Sequence, residues 1–354
     1  VIPPEYAISL LAVLHLSLAG VGMVRLARRT GLGDFGAAIA GLTFGLSGYL
    51  TGRLWFITIN NAMAWLPWIV AASTPPLFGV VPNGGGDGGG GRGVRLSALI
   101  ALQLLAGHAQ SSFYTLLIAG AWVVWRSWKR ETLRALSQFG LAIVFALCLT
   151  AVQLIPTIEL LQQSPRAAAA EYEFATTYSF WPWRLITLAA PNFFGHPADH
   201  NYWGYASYWE DNAYVGVLPL GFALFSLSSL IHRRGRRERG DENAQTNSAF
   251  SANSAVKFLL SIAVASILLA LGRNTPVFPF FYRYVPGFDL FQAPARMLIG
   301  FTFAVSLLAG ISAEAWQASA RKRYWARLGI AGSVVALVVG ILGALTIGNL
   351  RAVT

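Results

Sequence analysis

Cysteine is almost missing from this chain: Cys148 is the one thiol in 354 residues. A single thiol closes no internal disulfide and builds no thiolate metal cluster. Charge is scarce too. Charged residues make up 12% of the sequence and hydrophobic residues 55%, with a mean hydropathy of +0.53. A water-soluble domain carries about twice that charged fraction. The apolar stretches are continuous, not alternating, which excludes a β-barrel. The sequence has no internal repeat and none of the inverted symmetry that many transporters show. Acids are the scarcest charge, 15 against 26 Lys and Arg, so the net charge is +11 and the pI ≈ 10.1.

What is present is a series of apolar runs, clearest at 6–26, 135–155, 256–271 and 328–348. Each is long enough, or nearly so, to cross roughly 30 Å of hydrocarbon. The expected fold class is all-α, a polytopic membrane helical bundle forming one membrane domain over 1–354. A net positive charge of this size could suit nucleic acid, but its distribution fits cytoplasmic loops instead. With an outer N-terminus, ten membrane segments (6–26, 35–49, 59–72, 96–106, 111–125, 135–155, 213–231, 256–271, 297–313 and 328–348) leave 19 Lys and Arg inside and 7 outside. Reading 96–125 as one crossing reverses the sign, to 11 inside and 15 outside. A hairpin is therefore expected there, its turn at Gly107-His108-Ala109-Gln110. Gly107 should end the first arm, and Ser111 or Ser112 should cap the second.

The connections differ in kind. The stretch 83–93, "NGGGDGGGGRG", lacks the Gly-Lys-Ser/Thr of a phosphate loop and reads as a flexible cytoplasmic linker. Residues 232–254 are basic, then polar, and read as a mobile cytoplasmic loop. The outer loops, 156–212 and 272–296, are rich in aromatics. Part of that content is an interfacial belt, and the rest is enough for amphipathic helices on the outer surface.

Ionisable groups inside the runs are few. His15 is the clearest, and it reads either as a packed neutral histidine or as a functional group. The outer loops hold more: Glu159, Arg166, Glu171, Glu173, Arg184, Asp199, Glu210 and Asp211 in the first, and Arg296 at the end of the second. Glu159, Arg166, Glu210, Asp211, Arg296 and the hairpin-tip residues His108 and Gln110 all fall at one depth. Acid, base and guanidinium at one depth suit transfer chemistry on a phosphate-bearing lipid. Glu210, Asp211 and Glu159 are the candidate catalytic carboxylates. Arg166 and Arg296 would hold a phosphate, and His108 and Gln110 would contact sugar or phosphate. The acidic pair could also support a divalent metal, a choice the sequence leaves open.

Several stretches in order carry a resemblance: "HLSLAGVGMVRLARRTGL" (15–32), "GLTFGLSGYL" (41–50), "AWLPWIV" (64–70), "QLLAGHAQSSFYTLL" (103–117), "AVQLIPTIELLQQSPR" (151–166), "EDNAYVGVLPL" (210–220) and "QAPARMLI" (292–299). With these the chain resembles the YfhO family of bacterial multi-pass membrane proteins, related to the GT-C superfamily of lipid-dependent glycosyltransferases. The resemblance implies a GT-C-like bundle in the bacterial plasma membrane. It implies transfer of a sugar from an undecaprenyl-phosphate-linked donor to a cell-envelope acceptor on the outer face. Partners would be that polyprenyl-phosphate donor, membrane lipid and other membrane subunits, with no nucleic acid. It further implies a catalytic acid in a first outer loop, expected upstream of Val1 together with one more helix. The alternatives are a non-catalytic membrane subunit of the same fold and a lipid or small-molecule transporter.

Overall fold

The computed structural model describes residues 3–74, 89–128, 132–163, 171–205, 207–226 and 246–318. Among them every regular element is helical and none is a strand. The α-helices are α1 (Pro4–Arg29), α2 (Asp34–Gly45), α3 (Gly48–Thr51), α4 (Ile57–Met63), α5 (Leu66–Ala72), α6 (Gly89–Leu105), α7 (Ala109–Ser127), α8 (Thr132–Leu149), α9 (Ala151–Gln162), α10 (Tyr172–Ala175), α11 (Val217–Ser226), α12 (Thr246–Ala270), α13 (Val277–Tyr284) and α14 (Leu298–Gln317).

Among the described residues four helical stretches are long and apolar enough to cross a membrane: Tyr6–Arg29, Thr132–Leu149, Asn253–Ala270 and Pro294–Gln317. Their burial separates them into two kinds. In the last, 89% of the apolar window is buried, against 17% in the first. α14 is therefore the core helix, packed between α2 and α12, while α1 and α8 are peripheral. Ile8, Leu10, Val13 and Leu14 of α1, and Leu141, Val144, Leu147 and Leu149 of α8, are all exposed. Apolar surface of that extent is not left to water by a monomer, and lipid is the solvent that suits it.

Small residues set the helix contacts. A Cβ on Gly45 would stand 3.1 Å from the Gly20 Cα, so α1 and α2 meet backbone to backbone. A Cβ on Gly36 would stand 2.7 Å from the Gly310 carbonyl oxygen, which fixes α2 on α14 in the same way. There Glu314 of α14 accepts from the Gly36 N–H at 2.9 Å, satisfying a free donor at the α2 N-terminus. At its C-terminus α1 is closed by Arg28 and Arg29, and Arg29 donates to the Ala71 carbonyl at 2.6 Å. His15 finds its partner within its own helix, the Leu11 carbonyl at 2.9 Å.

The hairpin is formed by α6 and α7. Gly107 takes φ +78°, the left-handed conformation that ends a helix. The second arm is capped by His108, not by Ser111 or Ser112: its Nδ1 accepts from the Ser111 N–H at 3.1 Å. Gln103 ties the arms together, donating to the Thr115 hydroxyl and to the Ala62 carbonyl of α4, both at 2.8 Å.

Three connections are more helical than their composition suggested. α6 begins at Gly89, so 89–93 of the Gly-rich linker is helix, while 83–88 lies outside the described residues. Each Gly costs only about 1 kcal/mol in a helix, a cost that burial of Leu96 and Ile100 along the same helix can offset. α12 begins at Thr246, inside the stretch read as a mobile loop, and Trp125 anchors it by donating to Ser254 at 2.9 Å. The 135–155 run breaks at Thr150, whose hydroxyl donates to the Ala146 carbonyl, and α9 continues past it through Pro156. The apolar run 328–348 lies outside the described residues.

The close contact at Gly36 leads to a paired prediction. Gly36→Val should lower the thermal stability of the purified protein by about 1–3 kcal/mol, because neither backbone can give. Gly140→Ala on α8 meets nothing within 4 Å and should leave stability unchanged or raised. Equal melting of the two variants would mean that α2 and α14 are not held this closely.

Candidate functional site

The chain after Ser207 carries Glu210, Asp211 and Asn212 in succession, and all three are buried. Three charged or amide-bearing side chains are costly to bury together unless each is paired. Asn212 is the structural member: its Oδ1 accepts from the Tyr214 N–H at 3.3 Å, and it packs so closely on Gly48 and Gly52 that a side chain at either would collide with it. The Gly48 N–H donates to the Tyr214 carbonyl at 2.6 Å, so this loop is laid directly on α3.

Glu210 is held from two sides. The Arg296 Nε lies 3.0 Å from both carboxylate oxygens, and its Nη2 lies 2.5 Å from Oε1. The Arg53 Nη2 stands 3.6 Å from Oε2. Arg53 is itself fully buried. It donates to the carbonyls of Tyr49, Asn212 and Glu210 and lies 3.8 Å over the Tyr49 ring. Tyr49 in turn donates through its hydroxyl to the Arg296 carbonyl at 3.0 Å.

Arg296 sits in the short turn Pro294–Met297 that opens onto α14. Ala293 before it has φ +62°, a conformation that costs an L side chain roughly 1–2 kcal/mol. Gln110 from the hairpin tip braces this turn. Its Nε2 donates to the Gln292 carbonyl at 2.5 Å and to the Tyr114 hydroxyl at 2.9 Å, and its Oε1 accepts from Arg296 Nη1 at 2.7 Å. Residues from α3, α7, the 207–212 loop and the start of α14 thus meet in one network.

A second pair adjoins it. Asp211 meets Arg184 at 2.8 Å, and Arg184 also donates to the Tyr202 hydroxyl at 2.9 Å and the Tyr205 carbonyl at 2.5 Å. Asp211 Oδ1, Arg184 Nε and Arg53 Nε are buried with no hydrogen-bond partner among the described residues.

The environments set the protonation states. Burial works against ionising Glu210, but Arg53 and Arg296 outweigh it and hold the carboxyl below its ordinary range. Burial pushes Asp211 up to about 7, with Arg184 and Arg53 pulling the other way. Burial, aided by Arg296, drives His108 down to about 4, so its imidazole is neutral at pH 7. Because Nδ1 accepts from Ser111, the proton lies on Nε2, and the ring is a hydrogen-bond donor there.

Of the seven residues expected from sequence, Glu210, Gln110 and Arg296 meet directly. Asp211 flanks them, and His108 lies close enough to feel Arg296, Glu210 and Arg53. Glu159 does not join them: it is exposed on α9, a helix with no buried residue. Arg166 lies outside the described residues. Two buried cations, Arg53 and Arg184, were not among the expected site residues. The signal for Arg53 was its isolation, as the lone charge between Asp34 and Asp87. The roles change as well. Glu210 is an ionised anchor with both oxygens engaged, not a base awaiting a proton. A divalent metal does not fit here, because three guanidiniums already neutralise two carboxylates. No group of three His, Cys, Asp or Glu side chains able to hold a metal occurs among the described residues.

Comparison of the chain with protein-family models, with curated proteins and with solved structures finds no match.

Two outcomes follow from this arrangement. Glu210→Ala leaves two guanidiniums without their carboxylate and should cost about 3–5 kcal/mol in thermal unfolding. A loss below about 1 kcal/mol would mean that water replaces the carboxylate freely. The second outcome concerns pH. The folded chain retains the Asp211 proton between its ordinary value of 3.8 and about 7, where the unfolded chain has released it. Asp211 therefore favours the folded state less as pH rises through that window. Glu210 acts in the opposite sense, its contribution being present at neutral pH and lost as pH falls through its lowered value. His108 likewise favours higher pH between about 4 and 6.5. Comparing wild type with Asp211→Asn isolates Asp211: the variant should gain stability relative to wild type as pH rises from 4 to 7. A difference that does not vary with pH would mean that Asp211 is ionised throughout.

Proposed function

We propose that this chain is a GT-C-like, multi-pass glycosyltransferase of the bacterial plasma membrane, with about ten membrane segments. It would move a sugar from a polyprenyl-phosphate-linked donor to a cell-envelope acceptor on the outer face. The observation that carries the reading is the surplus of positive charge around Glu210, two guanidiniums against one carboxylate, at the start of a helix long enough to cross a membrane. A guanidinium has five N–H groups. Nε and one N–H on each of the other two nitrogens are engaged, which leaves two for phosphate oxygens. The Arg296 side chain keeps 15% of its surface exposed while Glu210 keeps 6%, so the cation and not the carboxylate is presented. His108, neutral and protonated on Nε2, adds a donor for a phosphate or sugar oxygen. The apolar faces of the long helices suit the isoprenoid tail. In this reading Glu210 and Gln110 fix the orientation of Arg296, and removing the acceptor's proton falls to a group outside the network.

A non-catalytic membrane subunit of the same fold is the second reading. It is favoured by one feature: Glu210 is held ionised with both oxygens engaged by arginine, so it is not poised to accept a proton.

The test is donor binding to the purified chain in liposomes. Loss of one charge-assisted contact costs about 1.5–3 kcal/mol, or about ten- to hundredfold in affinity. Lysine cannot reproduce the fork of a guanidinium. Arg296→Lys should therefore weaken binding of a polyprenyl-phosphate sugar nearly as much as Arg296→Ala. Equal binding by wild type and both variants, with folding checked by thermal melting, would remove Arg296 from the site and the glycosyltransferase reading with it. Binding that follows the expected order without sugar transfer would favour the subunit.

A further inference from the structure

The segment 271–293 joins two helices long enough to cross a membrane, and both of its ends are fastened to the 178–180 stretch. The Phe180 N–H donates to the Ala270 carbonyl at 2.8 Å, the Arg273 N–H to the Ser179 hydroxyl at 3.1 Å, and the Ala295 N–H to the Tyr178 carbonyl at 3.4 Å. The segment is thus held at the level where α12 ends and α14 begins. Within it, α13 folds back against α12. Its inner face is aromatic and packed: Phe278 is buried, and Phe281 and Phe278 both meet Phe288, at 5.0 and 6.3 Å between ring centres. Phe288 also meets Phe113 of the hairpin at 5.4 Å.

The outer face should be polar if water covers it. It is not. Phe280 and Tyr284, one helical turn apart and 5.1 Å between ring centres, are 56% and 66% exposed, and Leu290 is 61% exposed. Arg283 is the exposed charge beside them. Apolar rings with a single cation among them, at the end of membrane-length helices, match the boundary between lipid headgroups and acyl chains.

We infer that Phe280, Tyr284 and Leu290 form a membrane-seated face, with α13 lying in the lipid headgroup layer and Arg283 reaching the phosphates. The partner is the lipid surface itself. The assignment is independent of the glycosyltransferase reading. Through Phe288 and Phe113, and through the Gln110 contact to Gln292, the seated segment borders the Arg296 network and sets its depth near the headgroups.

The sole cysteine makes the test direct. In a Cys148→Ala background, Phe280→Cys, Tyr284→Cys and Leu290→Cys each carry a nitroxide in phosphatidylglycerol–phosphatidylcholine liposomes. Leu14→Cys, exposed on α1, serves as the lipid reference, and Asp199→Cys, exposed in the first loop, as the water reference. Collision with oxygen, relative to a water-soluble nickel chelate, should place all three labels between the references and nearer Leu14. Nickel accessibility equal to that at Asp199 would overturn the assignment. Protection from both reagents would also overturn it, because a protein would then cover the face. Photolabelling of the unsubstituted chain by a headgroup-depth diazirine lipid reads the same face without mutation. Recovery of label on the 277–290 peptide is expected, and its absence alongside labelling of α8 would equally refute the seat.

Discussion

The Glu210 carboxylate lies between the guanidiniums of Arg53 and Arg296, and the packing of four separate parts of the chain depends on it. Arg53 fastens the end of α3 to the 210–212 loop through two loop carbonyls and one carboxylate. Arg296 fastens that loop to the start of the core helix, and Gln110 fastens the hairpin tip to Arg296. A buried charge pair seldom adds much stability over an apolar substitute, but removing one member is costly. Its value here is register: a shift of one residue in any of the four strips at least one ion of its partner. The positive φ of Ala293 belongs to the same constraint, since it brings the Gln292 carbonyl and the Arg296 side chain onto one side of the turn.

The membrane-length helices follow directly from the apolar runs, because continuous burial in lipid or protein demands them. What the runs do not reveal is which helix is central. α1 and α14 have similar composition, yet one is peripheral and the other enclosed. The difference lies in the helices packed around each, α14 lying between α2 and α12, and those pairings are long-range. Helix ends were equally hidden where the cap was unusual. The hairpin turn forms at Gly107 as expected, but the cap of α7 is an imidazole nitrogen, outside the usual hydroxyl and carboxylate set. Breaks at Thr150 and between α4 and α5 likewise depend on side-chain bonds and packing that periodicity cannot register.

The site was legible in part for a similar reason. A shared depth can be read from topology, and it brought Glu210, Gln110 and Arg296 onto one list. Depth says nothing about the direction in which a helix face points. Glu159 shares the expected depth, yet it stands on a helix that buries nothing. Arg53 was missed because most of its partners are main-chain carbonyls, which leave no mark in sequence. The chemical roles were hidden for the same cause. Whether a carboxylate acts as a base or as an anchor depends on how many guanidiniums reach it, and Glu210 has two.

Electrostatics link these findings to the membrane. Low dielectric strengthens the Glu210 pair and at the same time makes an uncompensated guanidinium expensive. The network nevertheless carries more cations than carboxylates, and His108 beside it is kept neutral chiefly by burial, with Arg296 adding to the effect. Such a surplus is tolerable at the end of a membrane-length helix, where anionic headgroups lie within reach, and it would be far less so at mid-bilayer. The positive network and the aromatic face of α13 are thus two parts of one solution at the boundary: the face sets the level, and the network supplies the charge that a phosphate at that level would complete.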